Sequence, residues 1–204
     1  MNSKQRIIKN SDGKKLLYPT QPDLRIKNIL SREECMEIRR LTEIFSNSAG
    51  TGVVQLRRED RGLYEVDRQY WSFREFPIFF EKLRKKLEYY YETTIHRPTH
   101  WHIMKYRNPG DGLGWHAEGR ISYVSFSINL SDSDEHEGGD FQLQADPSLE
   151  LNMGDGVAYS GHSIHQVSPL VSGVKYSIVA WFQDDSRKNV MKEPFPYKDE
   201  KYKK

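Results

Sequence analysis

The sequence predicts an α+β fold: a double-stranded β-helix, or jelly roll, with supporting helices toward the N-terminus. Three observations carry this. Apolar residues recur at helical spacing in two stretches before residue 92. From Thr99 onward the spacing changes to strict alternation. Gly-rich turns then punctuate short strands, at Glu137-Gly-Gly-Asp140, Met153-Gly-Asp-Gly156 and Ser172-Gly173. A helical period followed by short alternating segments places helices against one sheet of a two-sheet domain.

The first helix is announced by Ser31-Arg-Glu-Glu34, a capping box. The serine can bond the free N–H groups of the first turn while the glutamate reaches back to the serine N–H. Cys35, Ile38, Leu41 and Ile44 follow on one stripe, with Met36 nearby, to about Ser46. Asn47-Ser-Ala-Gly-Thr-Gly52 ends it. A second helix is expected from Pro77, a residue suited to the first helical position. Phe79, Leu83, Leu87 and Tyr90/Tyr91 form its apolar stripe.

Ile121–Ser131 is the clearest strand. Val124, Phe126, Ile128 and Leu130 share one face; Tyr123, Ser125, Ser127 and Asn129 share the other. In Val174–Phe182, Tyr176, Ile178, Ala180 and Phe182 oppose Lys175, Ser177, Val179 and Trp181. An apolar face backed by a small polar one fits a barrel wall that lines a pocket.

The 204 residues are enough for one domain with a sizeable core. Domain limits are read as a polar lead-in at 1–22, one domain at 23–185 and a charged tail at 186–204. The 31 basic and 29 acidic residues nearly cancel, to a net charge of +2. That balance gives no footing for a nucleic-acid or membrane partner. The single cysteine, Cys35, cannot form an internal disulfide and is expected as a buried thiol. The opening Met-Asn-Ser-Lys-Gln-Arg lacks an apolar signal core, and no run reaches membrane-spanning length. A reducing, cytoplasmic setting is the expectation.

The chemistry concentrates in four residues. His116-Ala-Glu118 is followed 47 residues later by His165, and ten further on by Lys175. Two imidazoles and one carboxylate on one face of a metal, the opposite face open, are the ligands of non-haem Fe(II) oxygenases. The His-x-Glu spacing sets both ligands on one side of a strand or at its mouth. His162 is a rival ligand but lacks the Val-x-Pro that follows His165. Asp111 and Asp155 sit in Gly-rich turns and read as turn formers. Glu135-His-Glu137 reads as an exposed acidic hairpin loop.

The segments around these ligands extend the pattern. Tyr106 precedes the loop Arg107-Asn-Pro-Gly-Asp-Gly-Leu-Gly-Trp115, which leads to His116. A Gly-Gly pair, His165-Gln-Val-Ser-Pro169 and Gly173-Val-Lys-Tyr-Ser177 complete it. Together they resemble the 2-oxoglutarate- and Fe(II)-dependent dioxygenases of the prolyl 4-hydroxylase type, over roughly residues 23–183. The resemblance implies His116, Glu118 and His165 as ligands of Fe(II). It implies Lys175 and Tyr106 at the 2-oxoglutarate site, with Asn129 and Ser177 in the same pocket. O2 is the second co-substrate, and succinate and CO2 are the co-products of hydroxylation. Where that family has Asp, this chain has Glu118, one methylene longer, so its strand or loop must sit further back.

The family's substrates imply a prolyl residue in a peptide or protein, or an amino-acid-like molecule. Trp115 and Arg120 flank the ligands and are read as substrate contacts. The segment 55–70, with Arg57, Arg58, Arg61 and Tyr64, occupies the region that forms a mobile lid in the resembling family; a solvated loop is the alternative. Two other readings stay open at this point. One is a cupin-like metal-binding jelly roll, although cupins arrange their ligands as His-x-His with a later Glu and His. The other is a catalytically inactive interaction module.

Overall fold

The computed structural model describes residues 5–9, 13, 15–48, 53–55, 67–69, 77–96, 98, 100–119 and 121–187. The N-terminal strands are β1 (Gln5–Lys9), β2 (Lys15–Pro19) and β3 (Leu24–Ile26). Helix α1 (Arg32–Ser48) comes next, then β4 (Val53–Gln55), β5 (Asp67–Gln69) and helix α2 (Pro77–Tyr91). The strands β6 (His100–Tyr106), β7 (Leu113–His116), β8 (Val124–Asn129), β9 (His136–Gly138) and β10 (Phe141–Leu143) follow. Then come β11 (Gly156–Ser160), β12 (His165–Val167), β13 (Leu170–Gly173) and β14 (Lys175–Phe182), with a final 3-10 turn at Asp185–Arg187.

Helix α1 begins where its cap dictates. Glu34 N–H donates to Ser31 Oγ at 3.2 Å and Ser31 N–H to a Glu34 carboxylate oxygen at 2.7 Å. Both orphan donors are satisfied reciprocally, worth about 1 kcal/mol. Cys35 and Ile38 are buried and Leu41 packs beside them, whereas Met36 is half-exposed. Helix α2 starts at Pro77 as expected. Its deepest stripe is Phe80, Leu83, Leu87 and Tyr91. Phe79 and Tyr90 flank that stripe rather than centring it.

Five strands form the larger sheet, in the order β3-β11-β8-β14-β6, with antiparallel pairing throughout. A three-stranded sheet, β10-β12-β7, makes the second layer of the jelly roll. On the outer face of the larger sheet Val124, Phe126, Ile128, Tyr176, Ile178, Ala180 and Phe182 join both helices in one apolar core. Phe126 is fully buried at its centre. Its ring occupies the space above Gly156, where a β-carbon would lie 2.6 Å from the Phe126 ring. The strand is close-packed because its neighbour has no side chain there.

The opposite face of this sheet mixes small buried polar residues with apolar ones. Ser125, Ser127 and Asn129 on β8 align in register with Trp181, Val179 and Ser177 on β14. This face and the inner side of β7, β10 and β12 enclose the interior of the roll. It holds a second apolar cluster that includes Met104, Tyr106, Phe141, Val157, Tyr159 and Val167.

The polar lead-in contains a hairpin. β1 and β2 pair as a hairpin, and Leu16 and Tyr18 are buried. Their alternation in Lys15-Leu-Leu-Tyr-Pro19 supplies one inward face. Of the expected lid, residues 53–55 and 67–69 pair as β4 and β5, and β5 lies beside β6. Residues 56–66, with Arg57, Arg58, Arg61 and Tyr64, lie outside the described residues, as does the tail beyond Arg187. Among the described residues no helix is long and apolar enough to cross a membrane.

Replacing Phe126 with alanine opens a cavity at the junction of sheet and helices. We expect a loss of about 3–5 kcal/mol in urea-unfolding stability. A loss below about 1 kcal/mol would show that this junction is not tightly packed.

Candidate metal centre

β12 pairs antiparallel with β7, and His165 lies directly opposite His116. The pairing shifts register between His165 and Val167. His116 is the last residue of β7, so Glu118 falls in the loop beyond, at the mouth of the strand. His116, Glu118 and His165 are the one such group among the described residues, with ligand atoms within 4.8 Å of one another.

Their orientation is fixed from behind. His116 Nδ1 lies 2.8 Å from the carbonyl oxygen of Gly114, and His165 Nδ1 lies 3.0 Å from that of Ser163. A carbonyl only accepts, so each Nδ1 carries the proton and donates it. Nε2 is thereby the nitrogen each ring can bare for a metal, the tautomer that binds it. One Glu118 carboxylate oxygen lies 3.2 Å from His116 Nε2 and 3.7 Å from His165 Nε2. The three donor atoms therefore point at a common space. The imidazoles are 4.2 Å apart, centroid to centroid. Burial opposes the charge on Glu118, but hydrogen bonding and positive charge from the two histidines outweigh it. They hold the carboxyl well below the usual range. With their Nε2 protons given up to a metal, two imidazoles and an ionised carboxylate are the donor set that suits Fe(II).

The wall opposite carries a buried cation. Lys175 is 5% exposed and pairs in register with Tyr106, itself 1% exposed. Burial pushes the Lys175 ammonium down to about 8, opposed in part by the charge of Asp140. The ammonium donates to the carbonyl of Gly139, its one hydrogen-bond partner among the described residues. An ammonium has three donors, so two are left for a ligand oxygen. A buried lysine in that state fits a carboxylate, which supplies the missing charge and acceptors.

Compared with known proteins, the chain matches no protein-family model. It is 35% identical over 95 residues to a PKHD-type hydroxylase of Synechococcus sp. (strain CC9902), covering 43% of either chain. The chain thus spans under half the length of the curated relatives it matches. Its structure resembles a prolyl-4-hydroxylase from Pseudomonas putida with a TM-score of 0.63 at 16% identity, over 81% of this chain and 94% of that one. It also resembles a prolyl hydroxylase from Trichoplax adhaerens, solved with a hypoxia inducible factor oxygen degradation domain peptide fragment. There the TM-score is 0.62 at 14% identity, over 85% of this chain and 89% of that one.

The fold is that of the prolyl 4-hydroxylases.

Within that prolyl 4-hydroxylase fold the expected site residues take distinct places. Ser177 is buried and follows Lys175 along the inner face of β14. Asn129 is its register partner on β8, but its amide is engaged by backbone. It donates to the carbonyls of Ser131 and Leu151 and accepts from Ser131 N–H. It braces the strand end. Trp115 precedes His116 on β7 and is 48% exposed, since strand alternation turns it from the face His116 occupies. Arg120 lies outside the described residues. His162 stands apart from the ligand group, its ring 5.1 Å from that of Tyr18. Asp111 accepts the N–H groups of Arg107 and Asn108, and Asp155 those of Asn28 and Asn152, so both are turn formers.

Sequence reasoning missed Tyr159. It is 2% exposed on β11, with its ring 4.7 Å from that of His165. Burial, with the negative charge of Glu118 adding to it, pushes its phenol well above the ordinary tyrosine value, so it stays protonated. Phe141, 5.7 Å from His165, completes this flank. The alternation of Val157 and Tyr159 about Ala158 was the available signal.

Anaerobic Fe(II) titration should show specific binding in the wild type and its loss in His116→Ala and in His165→Ala. Glu118→Asp should keep part of the affinity, because the donor type survives, while Glu118→Ala should lose most of it. Affinity should fall as the solution is acidified, because the imidazoles must be neutral to bind. Wild-type binding by both histidine variants would remove the assignment.

Proposed function

We propose that this protein is an Fe(II)- and 2-oxoglutarate-dependent hydroxylase. Its substrate is an unactivated C–H bond in a prolyl residue of a peptide or in an amino-acid-like molecule. The observation that carries the reading is the convergence of two imidazole Nε2 atoms and one carboxylate in the interior that also holds the buried Lys175. A metal site alone would need no such cation.

His116, Glu118 and His165 would hold the metal. Lys175 would pair with the distal carboxylate of 2-oxoglutarate, with Tyr106 and Ser177 beside it. When bound, the metal with 2-oxoglutarate and O2 supplies an oxidant strong enough for C–H hydroxylation, and yields succinate and CO2. The protein's own task is placement and exclusion. The Nδ1–carbonyl bonds fix which ring nitrogen keeps its proton, so each imidazole turns its Nε2 to the metal. Tyr159 and Phe141 close one flank of His165 and keep water from it. Lys175 acts as a point charge, so it recognises a carboxylate without the two-pronged grip of an arginine. Trp115 and Arg120 are proposed as outer contacts for the substrate. The peptide bound by the Trichoplax enzyme supports a peptide substrate here.

The direct test supplies Fe(II), 2-oxoglutarate and O2, with proline-rich peptides and free amino acids as candidates. Succinate formation with a mass gain of one oxygen atom on a candidate is expected. No 2-oxoglutarate turnover under any condition would sink the reading.

Lys175 adds a pH prediction. Only its protonated form attracts a carboxylate, and burial sets its deprotonation near 8. Affinity for 2-oxoglutarate should therefore be steady below that pH and fall by about tenfold per pH unit above it. Lys175→Arg should abolish the fall, since arginine stays charged. Lys175→Ala should raise the 2-oxoglutarate requirement at least about tenfold with Fe(II) binding intact. Calorimetric titration at several pH values would read both effects.

A further inference from the structure

The loop that carries Glu118 is held at three backbone groups. The Glu118 carbonyl accepts Ile121 N–H at 2.9 Å, which closes the turn. Gly119 N–H donates to the Gly161 carbonyl at 2.7 Å. The Gly119 carbonyl accepts the hydroxyl of Tyr18. Gly161 is itself held, its N–H donating to the Tyr123 carbonyl at 3.0 Å, and it packs so closely on Ser122 that a β-carbon there would lie 2.0 Å from the Ser122 carbonyl oxygen.

Tyr18 comes from β2, about a hundred residues away in sequence, and is itself fixed. It is 3% exposed. The Arg187 guanidinium, fully buried, stacks over its ring at 4.5 Å, and Arg187 donates to an Asp184 carboxylate oxygen at 2.6 Å. The His162 ring packs 5.1 Å away. The hairpin is fastened independently by Gln5, which donates to the Tyr123 hydroxyl at 3.3 Å. A residue so constrained can hold a loop at a set distance. That distance suits a glutamate: the Glu118 oxygen reaches within 3.2 and 3.7 Å of the two Nε2 atoms. An aspartate on the same backbone falls one methylene short.

We propose that Tyr18 is a positioning residue for the metal-site carboxylate: its bond to the Gly119 carbonyl holds the loop back at the distance from which Glu118, and not an aspartate, completes the ligand set. This rests on the metal-site reading above.

The test uses the full chain and Co(II), added without oxygen, with affinity and the visible d–d spectrum as readouts. Tyr18→Phe keeps the ring on Arg187 and His162 and removes only the hydroxyl. We expect metal binding about tenfold weaker, as for other outer partners of metal ligands, and a changed Co(II) spectrum. We also expect coupling. Once the tether is gone the loop can advance, so Glu118→Asp should cost several-fold less affinity in the Tyr18→Phe background than in the wild type. Tyr123→Phe loosens the same hairpin without touching Gly119 and should bind Co(II) as the wild type does. Unchanged affinity and spectrum in Tyr18→Phe, additive effects in the double variant, or equal weakening by Tyr123→Phe would each overturn the proposal. If the wild type itself binds no Co(II) or Fe(II), the metal-site reading fails first and takes the proposal with it.

Discussion

The antiparallel pairing of β12 with β7 is the constraint on which the site depends. It sets His165 opposite His116, and each ring is turned by a carbonyl of its own strand or turn. Neither imidazole could select its Nε2 for a ligand without that second bond. A slip of one residue in this register would turn one of the two rings to the outside of the roll. The shift in pairing just past His165 leaves the histidine pair aligned while Leu113 meets Val167. The remaining donor, Glu118, then needs only to be brought within reach from the loop that follows β7.

Charge is distributed through the interior with the same economy. A carboxylate lies at the imidazole pair and an ammonium on the wall of the larger sheet. Each is destabilised by burial, but they are compensated differently. Glu118 is stabilised by the two histidines and stays ionised. Lys175 has a backbone carbonyl and the more distant Asp140, so burial still dominates. A group left under-compensated in this way gains most from a ligand that carries the missing charge. The protonated Tyr159 beside His165 adds no charge of its own to this interior.

The two ends of the described chain meet behind the metal loop. β2 brings Tyr18 and the final 3-10 turn brings Arg187, and the ring and guanidinium stack there. The mixed inner face of the larger sheet and the apolar outer face packed on α1 and α2 divide the labour between site and stability. The outer face makes the closely packed junction around Phe126, while the inner face carries the buried Ser125, Ser127, Asn129, Lys175 and Ser177 beside the second apolar cluster.

The sequence by itself determined the helices and the faces of the long strands, and it singled out the candidate ligands. His116, Glu118 and His165 were readable because their chemistry and order restrict what they can bind. The helix limits were readable because a capping box and a proline act within a single turn. Alternation sorted Lys175, Ser177 and Val179 to one side because side-chain direction in a strand is a local property. Only the tertiary structure decided what those faces meet. It brought Tyr159 against His165, engaged the Asn129 amide with backbone, turned Trp115 outward and carried Tyr18 to Gly119. Each of these joins residues far apart in the chain or depends on a turn's hydrogen bonds. Local periodicity specifies a residue's side but not the partner that long-range pairing and packing bring to it.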